Sequence, residues 1–265
     1  MPELPEVERA ARVLRRAVEG RTLTAVRLLH PALQRRVDPR VLRALRGATI
    51  ARVERRGKHQ LLHLADGRVV HVHFRMNGDW VVDRSSDPLP RFARATLVFV
   101  DGRRVVLDDS RALSTFDVHP ADAPPAFALG PEPNDDALTA ETLGAALASR
   151  RVAIKVALLD QRVIAGLGNI YTAEALWRAR IDPRASAASL DARDRGRLIA
   201  AARAVIARAT GARYTDGAGS RLDVYDREGR PCRRCRTPIE RLVQAGRSTY
   251  FCPRCQRASR GSSER

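Results

Sequence analysis

Apolar residues recur first with a helical period. From Pro5 to Val18, the residues Val7, Ala10, Ala11, Leu14, Ala17 and Val18 fall on one face, and Gly20 supplies a stop. The period then shortens to that of strands. "HQLLHLADGRVVHVHF" and "ATLVFVDGRRVVLDD" each hold two β-type runs around an Asp-Gly pair, at Asp66-Gly67 and Asp101-Gly102. Asp-Gly accepts the positive φ of a type I′ turn, so each stretch predicts a hairpin. Residues 1–120 therefore read as an antiparallel β domain flanked by helix.

Both periods stop at "HPADAPPAFALGPEPNDD", where five prolines predict an interdomain linker over 121–136. The helical period returns over 137–222. Thr139 caps a helix reaching Ser149, "VAIKVALLD" continues the period, and Asn169 caps "IYTAEALWRA" after the glycines of "IAGLGN". Ser189 caps a long helix through Ala209. Residues 223–257 return to short β-type runs that carry every cysteine, and the polar tail 258–265 is expected to be disordered. No internal repeat is visible.

Charge changes the picture. The chain has 48 basic and 30 acidic residues, a net +18 over 265 residues. Such a surplus makes the chain repel itself and points to an anionic partner, nucleic acid first and an anionic membrane surface second. Forty-six of the basic residues are arginine, so the two lysines, Lys58 and Lys155, stand out. A lysine kept in that setting suggests a need for an amine or a compact point charge. The first ten residues hold three Glu and no apolar block, unlike a secretory signal, and no stretch has the length of a membrane span.

The cysteines are spaced Cys232-x2-Cys235-x16-Cys252-x2-Cys255. Two such knuckles joined by a short hairpin set four thiolates tetrahedrally, the donor set of a closed structural zinc site. Redox dithiols normally come singly on a βαβ unit, so one structural Zn2+ is the expected cofactor, in a reducing cytoplasm. The hairpin is too small for a core of its own, and metal binding supplies its folding energy. Arg247, near its turn, is a candidate phosphate contact.

These pieces form a set: a Pro-Glu start, "RRGKHQLLHL", "HFRMNGDW", "LLDQRVIAGLGNIYTAEALWRARIDP" and a cysteine module ending "GRSTYFCPRCQ". The set resembles the formamidopyrimidine-DNA glycosylase / endonuclease VIII family of bifunctional base-excision repair enzymes, from Pro2 to Gln256. "PELPEVE" is closer to the formamidopyrimidine branch. The resemblance implies an α+β chain of two domains. An N-terminal two-sheet antiparallel β-sandwich with flanking helices precedes a helix-two-turns-helix domain and a four-cysteine zinc finger. It also implies a monomer acting on double-stranded DNA with a damaged base or abasic site, in the bacterial cytoplasm and associated with the nucleoid.

The resemblance assigns roles. Met1 is to be removed, so that Pro2 presents a secondary amine. An α-amino group titrates near about 8, against about 10.4 for Lys, so part of it is an uncharged nucleophile at neutral pH without burial. Attack on the sugar's anomeric carbon expels the base. The resulting iminium is an electron sink for elimination at the 3′ and then the 5′ phosphate. Glu3 is implied as general acid/base with Glu6 nearby, and Lys58 as the lysine beside the lesion. Read alone, Pro2, Glu3 and Pro5 are an ordinary helix start. Met76, on a strand where His73 and Arg75 alternate with Phe74 and Met76, is implied as the wedge filling the vacated stack. Arg111 is implied as the reader of the orphaned base. Asn169 and Arg247 are implied as phosphate ligands, and Lys155 as a further DNA contact.

Two departures bear on substrate choice. The family's aspartate-proline-arginine-arginine-phenylalanine-glycine run stands here as "DSRALS". Leu113 replaces the aromatic wedge and Ala112 the second arginine, which predicts relaxed selection for cytosine opposite the lesion. The segment Gly211 to Leu222 is short, which predicts weak action on 8-oxoguanine. Other readings are an endonuclease VIII-like preference for oxidised pyrimidines and abasic sites, and a non-catalytic damaged-DNA-binding protein. A zinc-ribbon transcription factor would leave Pro2, Glu3 and Lys58 unexplained.

Overall fold

The first helix, α1, runs Leu4–Val18 in the computed structural model, which describes residues 1–209 and 222–257. The readings of a shortened segment at 211–222 and a disordered tail at 258–265 fall on residues 210–221 and 258–265, outside the described residues. The chain forms two compact units, Met1–Phe127 and Ala128–Arg265.

In the first unit α1 starts on a capping box formed by Glu3 and Glu6, in which the Glu3 N–H donates to Glu6 Oε2 at 2.9 Å. Strand β1 (Leu23–Leu28) follows, then two short helices, α2 (Pro31–Gln34) and α3 (Pro39–Arg43). Their apolar period is too brief to read in sequence, yet each has proline at its first position after a capping His30 or Asp38. Seven strands complete the unit: β2 (Ile50–Arg56), β3 (His59–Leu64), β4 (Val69–His73), β5 (Asp79–Arg84), β6 (Ala93–Phe99), β7 (Arg103–Asp108) and β8 (Thr115–His119). They make two antiparallel four-stranded sheets, β1-β6-β7-β5 and β2-β3-β4-β8. One core joins them, with Leu14 and Val18 of α1 packed among Leu62, Val70, Val72, Leu97, Val105 and Phe116.

Both Asp-Gly hairpins form, with a different turn from the one expected. Only Gly67 and Gly102 take positive φ, at 88° and 77°; Asp66 and Asp101 do not. Gly67 N–H donates to Leu64 carbonyl and Gly102 N–H to Phe99 carbonyl, both at 3.0 Å. This is a type I turn closed by a glycine bulge, a three-residue loop in place of a type I′ pair.

The second unit opens with α4 (Ala140–Leu147), capped by Thr139, whose Oγ1 accepts the Thr142 N–H at 3.2 Å. "VAIKVALLD" gives a separate short helix, α5 (Ile154–Leu158). Helix α6 (Asn169–Ala179) has Gly168, not Asn169, at its cap position, and Asn169 is its first residue. Helix α7 (Ala192–Ala209) starts two residues later than Ser189 would have it, because Asp191 Oδ1 accepts the Asp194 N–H at 2.7 Å. Strands β9 (Glu240–Gln244) and β10 (Arg247–Phe251) form the cysteine hairpin. Ala245 and Gly246 between them both have positive φ, so the type I′ turn occurs here. Among the described residues no helix is long and apolar enough to cross a membrane.

Candidate functional site

The start of α1 brings the first group of expected residues together. Pro2 is buried, and its nitrogen is an amide while Met1 precedes it. Glu3 and Lys58 are buried, and Glu6 lies beside Glu3. Lys58 follows Gly57, a positive-φ residue in the tight connection between β2 and β3. The amino group of Met1 is part-buried. Burial pushes it below its ordinary range, Glu3 and Glu6 pull it up, and Lys58 and Arg111 push it further down. Two carboxylates and two cations thus act on one amine, drawn from three places in sequence.

Arg111 and Leu113 sit on the loop after β7, which is built around a residue the sequence did not single out. Asp109 is fully buried. Its Oδ1 accepts the Arg111 N–H at 3.0 Å, and its Oδ2 accepts the N–H groups of Leu113 and Ser114 and the Ser114 hydroxyl, each at 2.8 Å. Ala112 is held at φ 53°, and Leu113 is 45 % exposed, a large apolar side chain presented to solvent.

The strand expected to run through Met76 stops at His73, so alternation does not set its direction. Met76 stands part-exposed in a turn that begins at Arg75, φ 55°, rather than in the core. This turn is bound to the Asp109 loop: the single Ser114 hydroxyl proton is shared between Asp109 Oδ2 and the Phe74 carbonyl, 3.1 Å away, and Asn77 Nδ2 donates to Ser110 Oγ, also at 3.1 Å. Gly78 marks the closest approach, since a β-carbon there would lie 2.6 Å from Ser114 Oγ. Met76, Arg111 and Leu113 therefore share one rigid platform.

A histidine cluster on β3, β4 and β8 was also not anticipated. His59 Nδ1 and His71 Nε2 are 2.9 Å apart, His73 packs edge-on against His59, and Phe127 stacks on His59 with centroids 4.1 Å apart. Burial, with nearby positive charge, holds His59 and His71 down at about 4 and His73 at about 3, so all three are neutral near pH 7.

In the second unit the expected residues gather at the start of α6. Gln161 shapes the glycine loop before it: its Oε1 accepts the Gly166 N–H at 2.9 Å and its Nε2 donates to Leu167 carbonyl at 2.8 Å. Gly168 brings no side chain to the cap of α6, whose first residue is Asn169; a helix N-terminus is a setting that suits an anion. Asn169 Nδ2 donates to Ser248 carbonyl at 3.0 Å, while its Oδ1 is buried without a hydrogen-bond partner. Arg247, next to Ser248, is exposed. Lys155 is wholly buried, and its Nζ also donates to Ser248 carbonyl, at 3.3 Å. A phosphate contact needs an exposed cation, so the structure puts Lys155 beneath the hairpin and not on its surface.

Glu174 of α6 was missed as well. It is fully buried, and accepts the N–H groups of Asp223, Val224 and Tyr225 at 2.8, 2.8 and 3.0 Å. Burial pushes its carboxyl up, against the pull of those three bonds. Arg208, at the end of α7, reaches Glu174 at 3.3 Å and Asp223 at 2.8 Å.

The four cysteines converge. Their sulfurs all lie within 4.8 Å of one another, with Cys235 and Cys252 at 3.4 Å and Cys232 and Cys255 at 4.0 Å. Tetrahedral thiolates at zinc stand about 3.8 Å apart, so the donor set fits that ion. Main-chain N–H groups of Arg234 and Cys255 point at Cys232 and Cys252 sulfurs, both at 3.4 Å. Trp177, Val224 and Ile239 pack beneath, with Arg234 over the Trp177 ring at 4.2 Å.

Known families match the chain in three successive stretches. They are the formamidopyrimidine-DNA glycosylase N-terminal domain over residues 1–116, the formamidopyrimidine-DNA glycosylase H2TH domain over 129–218, and a zinc finger found in FPG and IleRS over 229–258. With the four-sulfur cluster, the last assigns a structural zinc. The formamidopyrimidine-DNA glycosylase of Paracoccus denitrificans is 39 % identical over 284 residues, covering 97 % of this chain and 100 % of that protein. The crystal structure of Lactococcus lactis formamidopyrimidine-DNA glycosylase non-covalently bound to AP-site DNA is similar at TM-score 0.88 and 28 % identity, covering 97 % of this chain and 100 % of that one. A complex of the same bacterium's protein with Fapy-dG DNA gives the same scores and coverage. Matched along nearly its whole length in sequence and in fold, this chain belongs to the formamidopyrimidine-DNA glycosylase family.

Proposed function

We propose that this chain is a bifunctional DNA glycosylase and abasic-site lyase of base excision repair, acting on oxidised or ring-opened bases in double-stranded DNA. The observation that carries the reading is the set of charges around the amino terminus: Glu3, Glu6, Lys58 and Arg111. Removal of Met1 turns the Pro2 nitrogen from an amide into a secondary amine. That nitrogen attacks the anomeric carbon, and the base leaves with the glycosidic electron pair and takes up a proton. Glu3 protonates the sugar ring oxygen as the ring opens, leaving a cationic iminium. Loss of a neighbouring sugar proton expels the 3′ phosphate, and a second elimination expels the 5′ phosphate. Burial first, then Lys58 and Arg111, lower the basicity of the amino group that Met1 places here, and a Pro2 amine in the same surroundings meets the same influences.

The rest of the site binds. Met76 and Leu113 fill the space a flipped base vacates, and Arg111 reads the base left opposite. Arg247, Asn169 and the N-terminus of α6 hold phosphate. Cys232, Cys235, Cys252 and Cys255 close the zinc's coordination, so the ion supports the hairpin and takes no part in the chemistry. The test is borohydride reduction of the protein on a duplex carrying an abasic site, with mass spectrometry of the amino terminus. The expected outcome is a covalent adduct from molecules lacking Met1, and loss of most trapping in Pro2→Gly with DNA binding retained. Full nicking by protein that keeps Met1 on every molecule would overturn the reading.

A further inference from the structure

The two lysines of this arginine-rich chain are both buried, at 7 % exposure for Lys58 and 0 % for Lys155. A cation meant for DNA phosphate gains nothing from burial, and arginine would serve there at least as well. Lys155 reaches the main chain of the zinc hairpin instead. The Ser248 carbonyl accepts both its Nζ, at 3.3 Å, and Asn169 Nδ2, at 3.0 Å. A carbonyl has two lone pairs, so one oxygen gathers a side chain from α5 and one from α6. A second carbonyl does the same: Pro183 accepts the Lys155 N–H and the Gln244 Nε2, both at 3.3 Å. Gln244 is the residue paired with Arg247 across the hairpin. Both sides of the turn that carries Arg247 are thus pinned through Lys155 or its own main chain.

We infer that Lys155 is a positioning residue, which clamps the Ser248 carbonyl beside the α6 N-terminus so that Arg247 and Asn169 meet a phosphate as a preset pair. The inference rests on the phosphate-binding role proposed above for that pair. A compact ammonium fits under the carbonyl. A planar guanidinium carries the same charge on a larger, fixed fork and does not fit a fully buried site.

The test uses the full chain with its zinc and a duplex carrying a tetrahydrofuran abasic analogue. Lys155→Gln keeps a donor without charge, and Lys155→Arg keeps charge without fit. A clamp predicts that Lys155→Arg weakens binding by about 10-fold and Lys155→Gln by less, the scale of one misplaced charge-assisted contact. The reverse order would mean that the charge acts on DNA directly and would overturn the inference. In an Arg247→Ala background the Lys155→Arg effect should shrink to within about 2-fold, since neighbours acting through one contact are not additive. Full additivity would count against the clamp. The dependence of log affinity on log salt should match wild type in Lys155→Gln and fall by about 1 in Arg247→Ala. A fall in Lys155→Gln would also overturn the inference. Zinc content is measured on every variant. Loss of zinc from Lys155→Arg but not from Lys155→Gln supports the clamp, because the hairpin then depends on it. If wild type itself does not bind the duplex, the functional reading fails first, and the order of the variants is not what failed.

Discussion

Glu3 in the first unit and Glu174 in the second are both buried carboxylates, at 1 % and 0 % exposure. Their surroundings differ in kind. Glu174 accepts main-chain N–H groups from three consecutive residues, Asp223 to Tyr225, plus Arg208. Main-chain donors do not titrate, and three of them hold this carboxylate in one place. Glu3 takes part in the α1 capping box with Glu6 and otherwise stands among side-chain charges, with Glu6, Lys58 and Arg111 acting on the same amine. Those groups can exchange protons and shift with a ligand. One buried charge is set for rigidity; under the proposed function the other is set for proton transfer, and the nature of the partner separates the two.

That contrast can be broken from both ends. Glu3→Gln removes a proton carrier but keeps an amide oxygen that can accept the Glu6 N–H of the capping box, so base excision should fall by about 10²–10⁴-fold with near-normal DNA binding. Single-turnover excision against nicking of a pre-formed abasic site checks it, and the second, which skips glycosidic cleavage, should suffer less. Glu174→Gln leaves the chemistry alone but sets an amide against main-chain donors. It should cost the second unit about 2–4 kcal/mol of stability, read by denaturant unfolding, with the rate per folded molecule unchanged. A large rate loss in stable Glu174→Gln would erase the distinction.

Two smaller effects sharpen it. Asp109→Asn replaces one acceptor oxygen of the loop hub by a donor and should cost about 1–3 kcal/mol in the first unit. Opposite-base selectivity should weaken with it, because Arg111 and Leu113 hang from that carboxylate. The least expected effect is a pH dependence. His59, His71 and His73 ordinarily titrate at 6.5 and are held at about 4, 4 and 3 when folded. Below their ordinary value the unfolded chain binds more protons than the folded one. Stability is therefore fully present above pH 6.5, is lost as pH falls toward 4, and flattens below 3. All six histidines lie between positions 30 and 119, so this histidine contribution to acid sensitivity belongs to the first unit. Melting curves of the wild type and of His59→Gln with His71→Gln across that range would show it as a shallower slope in the variant.

Local chemistry was legible in the sequence wherever it is decided locally. The α1 face, both Asp-Gly hairpins, Thr139 as a cap and the four-sulfur cluster are written in spacings of a few residues. The errors were local competitions decided by one bond. Asp191 outcompetes Ser189 as a cap because Asp194 lies three residues on. Asp66 keeps negative φ because the glycine alone takes the bulge. What was not legible depends on long-range partners. Glu174 bonds residues about fifty positions away, and Lys155 meets a carbonyl 93 positions away, a main-chain atom whose residue type carries no hint of it. Asp109 was passed over beside its more familiar neighbour Arg111, although its partners are within five residues.

The Asp109 loop has a consequence in time. With four hydrogen bonds to one carboxylate, the backbone that carries Arg111 and Leu113 is ordered before any ligand arrives. A loop that had to fold on each encounter would add its ordering entropy to every contact, at ordinary and damaged positions alike, and slow arrival. An ordered loop removes that step. Arrival then becomes nearly independent of sequence, and the difference between one base and another is expressed in how long the protein stays. For a protein that meets mostly intact DNA, the gain lies in leaving quickly from all the wrong places.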